Sequence, residues 1–372
     1  VRVIYFSNGY TTHDHRFLSA LALTDHEVYF LQLEPSETFL ENQPLPNKIH
    51  PLEWEEGLGT FRLDQEAAFK GDLIRIVNEV NPELIHAGPV QSCAYLVALA
   101  GYKPLLTMSW GSDILQDAKS DPGRSEAIFT LAQSSLFACD CETVAIAAQE
   151  LGMAREMIVI FPWGVDLDHF SPGEFEGVRS MLGGQDTLVL LSTRALENIY
   201  GVDILVDAFI HAVKVEPKLR LLMLNEGSLQ AELEKKLRME KLEDRVYFAG
   251  RIDLQDLPNF YRAADFYVSA SRSDGSSISL LESMASGLPA IVSNIPGNRE
   301  WVEPGTNGWW FEDGDSDSLR ATILLAIEET DHKERYGRNA RQIAEGKANW
   351  EFNFQCLLGA YERINEMNKE TV

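Results

Sequence analysis

No stretch of this 372-residue chain approaches the roughly 18 consecutive apolar residues that a membrane-spanning helix requires. The opening Val1–Phe6 is apolar but short, and no small-residue cleavage site follows it, so it reads as a buried strand rather than a signal peptide. Cysteine is scarce: four residues are too few for a disulfide framework, and a cytoplasmic location is expected. Cys139 and Cys141 flank Asp140 and would share a strand face, but no second Cys/His pair completes a metal site. Basic charge is also short. With 32 Lys and Arg against 57 Asp and Glu, the formal net charge of −25 disfavours nucleic acid, which needs clustered cations. The same balance argues against docking on anionic lipid through a broad basic surface, although peripheral membrane contact stays compatible with it. The first strand is not followed by G-x-G-x-x-G, which argues against a nicotinamide dehydrogenase.

What remains is ordinary globular composition, 45% hydrophobic and 24% charged, at a length that suits two domains. Short apolar runs alternate with helical patterns. In the first half the predicted strands are Val1–Ser7, Glu27–Leu33, Glu83–Ala87, Pro104–Trp110, Ser135–Asp140 and Met157–Pro162. Arg16–Leu23, Gln65–Asn81 and Glu142–Leu151 carry apolar residues at helical spacing between them. After Ser171-Pro172-Gly173 the rhythm restarts, with strands at Leu188–Arg194, Leu219–Leu224, Val246–Gly250, Phe266–Ser271 and Ala290–Ser293. Gly201–Val213, Leu229–Lys241, Leu254–Ala263 and Ile278–Ser286 read as the intervening helices. Strands rich in Val, Ile and Leu without polar alternation suit parallel sheets covered on both faces, and repeated strand–helix units imply an open α/β sheet. The expected division is a domain over 1–165, a second over 171–350, and a last helix, about 352–372, packing back on the first. Two such sheets in series predict an interdomain cleft, with ligands at the carboxyl ends of the strands.

The most informative stretch runs from Ser271 through Asp274, Ser277 and Glu282 to Gly287. A strand ends there and a helix begins, joined by a loop of small residues. Unpaired N–H groups and the helix dipole make such a junction an anion site. Asp274 stands at the mouth of the loop. Glu282 sits in an otherwise apolar helix, where a buried carboxylate demands a partner. Either carboxylate suits vicinal hydroxyls; the alternative is a capping role for Asp274 and a solvated Glu282. Arg194, at the end of a buried strand, needs an anion, either a phosphate gripped by its fork or an interdomain carboxylate. Near the first strand, His13, Asp14 and His15 precede a helix, and Trp110 and Asp113 follow a later strand. These are read as acceptor-side contacts, with helix capping as the plainer role for Asp14 and Asp113 and simple exposure for the histidines.

A series of ordered segments, spread over nearly the whole chain, resembles family 4 of the retaining glycosyltransferases, of the GT-B fold with two facing Rossmann-like domains. Phe161-Pro-Trp-Gly164-Val165-Asp166…Phe170-Ser-Pro172 resembles the family's N-G-V-D…F-x-P linker, and Arg194…Tyr200-Gly201-Val-Asp its R…K-G-V-D segment. Asn225-Glu-Gly227-Ser resembles G-x-G-P, Val246-Tyr-Phe-Ala-Gly250-Arg a base-binding strand end, and Asp274-x7-Glu282 the E-x7-E motif. Ala285-Ser-Gly287-Leu-Pro289 and Gly305-Thr-Asn-Gly308 complete the series. The resemblance implies that Arg194 neutralises a donor diphosphate and Glu282 holds the ribose. Asp274, with the backbone of Ser277, Ile278 and Ser279, would hold the sugar and its phosphate, while Arg251 and Ile252 face the base and Gly9 covers the diphosphate. Three positions depart from the family: Asp274 is shorter than the usual Glu, Tyr200 replaces a Lys, and Trp110 replaces a His.

The expected chemistry is hexosyl transfer with retention from a nucleotide diphosphate sugar, UDP-linked first and GDP-linked next. The acceptor would be a glycan, lipid-linked or small-molecule hydroxyl, with the nucleotide sugar as co-substrate and neither cofactor nor metal. Asp313-Gly-Asp315 reads as a turn before a helix rather than a cation clamp. The alternatives are a sugar-nucleotide epimerase, a phosphorylase, or a binding protein without catalysis.

Overall fold

The computed structural model describes residues 1–34, 43–54, 65–184 and 186–371. They form two compact units, Val1–Phe161 with Phe354–Val372, and Pro162–Asn353.

The first unit is built on a seven-stranded sheet: β1 (Arg2–Ser7), β2 (Glu27–Gln32), β3 (Ile49–Leu52), β4 (Leu84–Ala87), β5 (Leu105–Met108), β6 (Leu136–Cys139) and β7 (Ile158–Ile160). Its order is β3-β2-β1-β4-β5-β6-β7, and every pairing is parallel. β3 was not foreseen, because a strand reading His50-Pro51 lacks an apolar signature. It survives at the sheet edge, where a proline's missing N–H costs no ladder bond. Helix Thr12–Leu21 begins four residues before the expected Arg16. The polar Thr12-His13-Asp14-His15 belongs to its first turn, fixed by a capping box between Thr11 and Asp14.

The second unit carries β8 (Leu188–Ser192), β9 (Leu219–Leu224), β10 (Val246–Gly250), β11 (Phe266–Ser269), β12 (Ala290–Ser293) and β13 (Gly308–Phe311). They form a six-stranded parallel sheet, β10-β9-β8-β11-β12-β13. Alternate residues of its strands enter two different cores: Leu190, Leu221, Phe266 and Ile291 on one face, Val189, Leu222, Tyr267 and Val292 on the other. Burial on both faces is why these strands read as continuous apolar runs.

Each sheet reverses its winding once, between β1 and β4 in the first unit and between β8 and β11 in the second. At such a switch point the loops leaving neighbouring strands diverge and open a crevice at the carboxyl ends. The last helix, Trp350–Thr371, starts in the second unit and continues into the first, where Tyr361 lies fully buried. Val372, the last residue of that expected segment, lies outside the described residues. No described helix is long and apolar enough to cross a membrane.

Candidate functional site

In the second unit, the carboxyl ends of β8 and β11 bring the predicted residues together. Arg194 lies two residues past β8. Its Nη2 pairs with the Asp274 carboxylate at 2.9 Å, so the anion it requires is supplied within its own unit. Nη1 donates to Ser277 Oγ at 2.6 Å and to Ser279 Oγ at 3.1 Å. The guanidinium carbon lies 4.1 Å from the centre of the Tyr200 ring. Burial opposes the charge on Arg194, but Asp274 and the surrounding tyrosines outweigh it and hold the pKa above its ordinary value. Burial pushes the Asp274 carboxyl up, against the pull of Arg194, Ser271 and Ser277. The two side chains thus form a buried charge pair.

The local backbone is tightly held. Gly201 follows Tyr200 at φ 59°, and a Cβ there would lie 2.1 Å from Ala270 O, so the turn that presents Tyr200 needs glycine. A Cβ on Gly297 would lie 2.2 Å from Asp274 O, because a neighbouring helix closes directly onto the loop. Ser293 Oγ donates to Ser271 O at 2.5 Å, and Trp301 Nε1 to Ser276 Oγ at 3.2 Å. The helix Ile278–Ala285 then starts with Ser277 as its N-cap residue. Ser277 makes no side-chain cap bond; its hydroxyl receives Arg194 instead. The first bond of the helical ladder is Leu281 N to Ser277 O, so the N–H groups of Ile278, Ser279 and Leu280 precede any acceptor inside the helix.

Glu282 lies on the same helix and is buried, not solvated. Tyr261 donates to its Oε2 at 2.7 Å, and the same hydroxyl meets Thr193 Oγ1 at 3.1 Å and Ser279 O at 3.3 Å. Burial and the nearby Glu282 raise the Tyr261 phenol well above its usual range, so it stays protonated as a donor. Tyr267 adds a contact of 2.8 Å to Ser279 Oγ. Thr193, Tyr261 and Tyr267 were not singled out from the sequence. The available signal was that a tyrosine at an apolar position still needs a partner for its hydroxyl. Arg251 is exposed and Ile252 half-buried just past β10. Asn225, at φ 66°, binds the ends of these strands together, donating from Nδ2 to Thr193 O at 2.8 Å and from its backbone N to Gly250 O at 2.7 Å.

The acceptor-side candidates all lie in the first unit. Gly9, the donor-side candidate of this unit, is buried in the bend after β1. Asp14 is buried and accepts from Tyr5 Oη at 3.1 Å and Thr11 N at 2.9 Å, with its pKa raised by burial. It acts at the third helical position rather than as the cap itself, which is Thr11. His15 is not merely exposed: Nδ1 meets Tyr10 Oη at 2.5 Å and Nε2 meets Ser19 Oγ at 3.3 Å. Asp113 is buried too, binding Ser109 Oγ at 2.6 Å, Ile114 N at 2.9 Å, Val90 N at 3.1 Å and Trp110 N at 3.2 Å. Asp14 and His15 brace the first turn of their helix, Asp14 also tying it to β1, and Asp113 ties its own turn to the segment at Val90. His13 and Trp110 are different. Both are half-buried, with ring centres 6.1 Å apart, and burial plus the charge of Arg16 lowers the His13 pKa to about 4, leaving a neutral ring.

Among the described residues no group of three or more His, Cys, Asp or Glu is placed to hold a metal ion. Asp315 caps the helix Ser316–Glu328 through Ser318 N at 2.9 Å, and Cys139 lies buried with its thiol toward Cys141 O.

Residues 181–343 match the family described as Glycosyl transferases group 1, and residues 2–140 the family described as Glycosyl transferase 4-like. Among curated proteins, a mannosylfructose-phosphate synthase of Agrobacterium fabrum is 29% identical over 54% of this chain and 45% of its own length. An alpha-monoglucosyldiacylglycerol synthase of Streptococcus pneumoniae is 32% identical over 42% of this chain and 37% of its own. The chain thus spans less than half the length of these relatives. Among solved structures, Anabaena HepE in complex with UDP superposes with TM-score 0.74 and 19% identity, covering 100% of this chain and 99% of that one. A sucrose-phosphate synthase from Thermosynechococcus elongatus gives 0.77 and 18%, covering 98% and 99%. At such identities these likenesses speak for the fold. Each half thus matches a glycosyltransferase family, 4-like over residues 2–140 and group 1 over 181–343, and the two Rossmann-like parallel sheets in series give the chain the GT-B fold.

Proposed function

We propose that this protein transfers a hexosyl group from a nucleotide diphosphate sugar to a hydroxyl acceptor, with retention and without a metal. UDP-sugars are the first candidates for donor and GDP-sugars the second. One observation carries the reading: Arg194 sits against Asp274, Ser277 and Ser279 at the start of a helix that also holds the buried Glu282. Charge develops on the diphosphate oxygens as the glycosidic bond breaks, and a fixed guanidinium beside a helix N-terminus stabilises that charge without reorganising. Glu282, oriented by Tyr261, suits the paired hydroxyls of a ribose.

Asp274 would exchange its pairing with Arg194 for the hydroxyls of the transferred sugar while the diphosphate takes the guanidinium. The acceptor hydroxyl would pass its proton to the leaving phosphate oxygen, so no protein base is required. On the acceptor side, the neutral His13 ring and Trp110 are the first candidates in the first unit, since Asp14, His15 and Asp113 are already hydrogen-bonded within it. The acceptor would be a glycan, a lipid-linked sugar or a small molecule. The names of two relatives give examples of small-molecule and lipid chemistry: a mannosylfructose phosphate for one, a monoglucosyldiacylglycerol for the other.

The test is a thermal-shift screen with UDP, GDP, ADP and their sugar conjugates, followed by turnover across an acceptor panel with the anomer of the product read by NMR. A ligand at a hundredfold its Kd stabilises the fold by about 2.7 kcal/mol. One nucleotide should stand out, and its sugar conjugate should be turned over with retained configuration. Binding without turnover would make this a nucleotide-sugar binding protein, and an inverted product would refute the mechanism.

A further inference from the structure

We propose that Tyr200 is a positioning residue that clamps Arg194 by its face, so that the edge donors of the guanidinium are delivered to an anion. The inference rests on the donor-site reading above and deepens it.

A guanidinium has five N–H donors, all in its own plane. In this site Nη1 is directed at Ser277 and Ser279, and Nη2 at Asp274. Nε is buried and has no hydrogen-bond partner. Nη2 meets Asp274 as an ion pair rather than a hydrogen bond, so Nε–H and an Nη2–H are left as the side-on pair that grips two oxygens of a phosphate or carboxylate at once. An aromatic ring over the face of the guanidinium attracts the cation without consuming any of those donors. The Arg194 guanidinium carbon lies over the Tyr200 ring, 4.1 Å from its centre. The ring cannot drift far: it packs against the core cluster of Leu190, Leu196 and Val202, and the turn after it is closed by Gly201 against Ala270 O. A lysine here would repel Arg194 and add a second mobile cation. The tyrosine instead gives one cation with a fixed orientation, which favours a diphosphate presenting two oxygens in the guanidinium plane.

The ring, not the hydroxyl, is the active part, and this separates the role from simple packing. The experiment measures Kd by calorimetry on the full chain for UDP, GDP and ADP, and for the nucleoside of whichever binds best. Wild type is compared with Arg194→Ala and with Tyr200→Phe, Tyr200→Met and a trifluorophenylalanine at position 200. The fluorinated ring keeps its shape but loses the electron density that attracts a cation, so it serves even if the Met variant fails to fold. Diphosphate Kd should rise about tenfold in Tyr200→Met and about threefold with the fluorinated ring, while Tyr200→Phe rescues it to within about twofold. The Kd of the nucleoside, which has no phosphate, should not follow this order. If Arg194→Ala loses diphosphate affinity but the Met and fluorinated variants do not, the clamp is refuted and the donor-site reading stands. If no nucleoside diphosphate binds the wild-type protein, both fall.

Discussion

His86 should make the first unit acid-labile by an amount that can be worked from its surroundings. It lies on β4, 1% exposed, with Nδ1 2.7 Å from Tyr361 Oη, Nε2 3.3 Å from Met108 Sδ, and the Tyr5 ring packed edge-on at 4.9 Å. Among the described residues no carboxylate compensates a charge there, and burial lowers its pKa from 6.5 to about 3. The unfolded chain therefore takes up a proton near pH 6.5 that the folded chain refuses until about pH 3. The stabilisation from a neutral His86 is complete above the unfolded pKa and is lost as pH falls through that window, at ~1.4 kcal/mol per unit. Over two units the loss is ~2–3 kcal/mol, which is large beside the 5–15 kcal/mol of a typical domain. His13, lowered to about 4, acts in the same direction. Asp14 and Asp113, raised by burial, act in the opposite one, because the folded state holds their protons to higher pH. A bare acid melt would therefore mix signs. The clean measurement is the difference in urea-unfolding free energy between wild type and His86→Gln, followed from pH 7 to pH 4.5. Glutamine keeps a polar partner for Tyr361 but cannot titrate. The two curves should diverge, the variant losing less stability on acidification. Hydrogen exchange in β4 and in the segment after Phe354 should speed up at low pH in wild type more than in the variant. Parallel curves would show that His86 does not stay neutral in the fold.

Three further outcomes are expected. Arg194→Ala leaves Asp274 buried without its cation, and breaking such a pair should cost ~3 kcal/mol in urea unfolding. Adding Asp274→Asn should return part of that stability without restoring transfer, and full additivity of the two changes would contradict the pairing. Tyr261→Phe removes the donor that orients Glu282, at ~1.5 kcal/mol for a bond to a charged group, so nucleotide affinity should fall about tenfold. The loss should be smaller for a 2′-deoxynucleotide, and equal losses for both sugars would separate Tyr261 from ribose recognition. Transfer activity should survive EDTA, whereas abolition reversed by Mn²⁺ would overturn the metal-free proposal.

Much of this was legible along the chain because parallel strands buried on both faces leave an unbroken apolar signature. β9, β10 and β12 lie where the apolar runs placed them. β3 and β13 were missed, the first because an edge strand tolerates His50 and Pro51. The second, Gly308-Trp-Trp-Phe311, is too short to separate from the turn before it. The sequence also determined which groups had to find partners: an arginine at a buried strand end and a glutamate in an apolar helix cannot stay unpaired. It could not say who the partners are, because Arg194 and Asp274 stand 80 positions apart, and Thr193 and Tyr261 68. Only the crossover between β8 and β11 brings those strand ends side by side. The structure likewise decided which partners Asp14, His15 and Asp113 meet, and that the Arg194 guanidinium carbon lies over the Tyr200 ring. Composition and periodicity report which faces are buried, whereas the direction of a side chain and the identity of its neighbour depend on contacts that close only when distant strands pair.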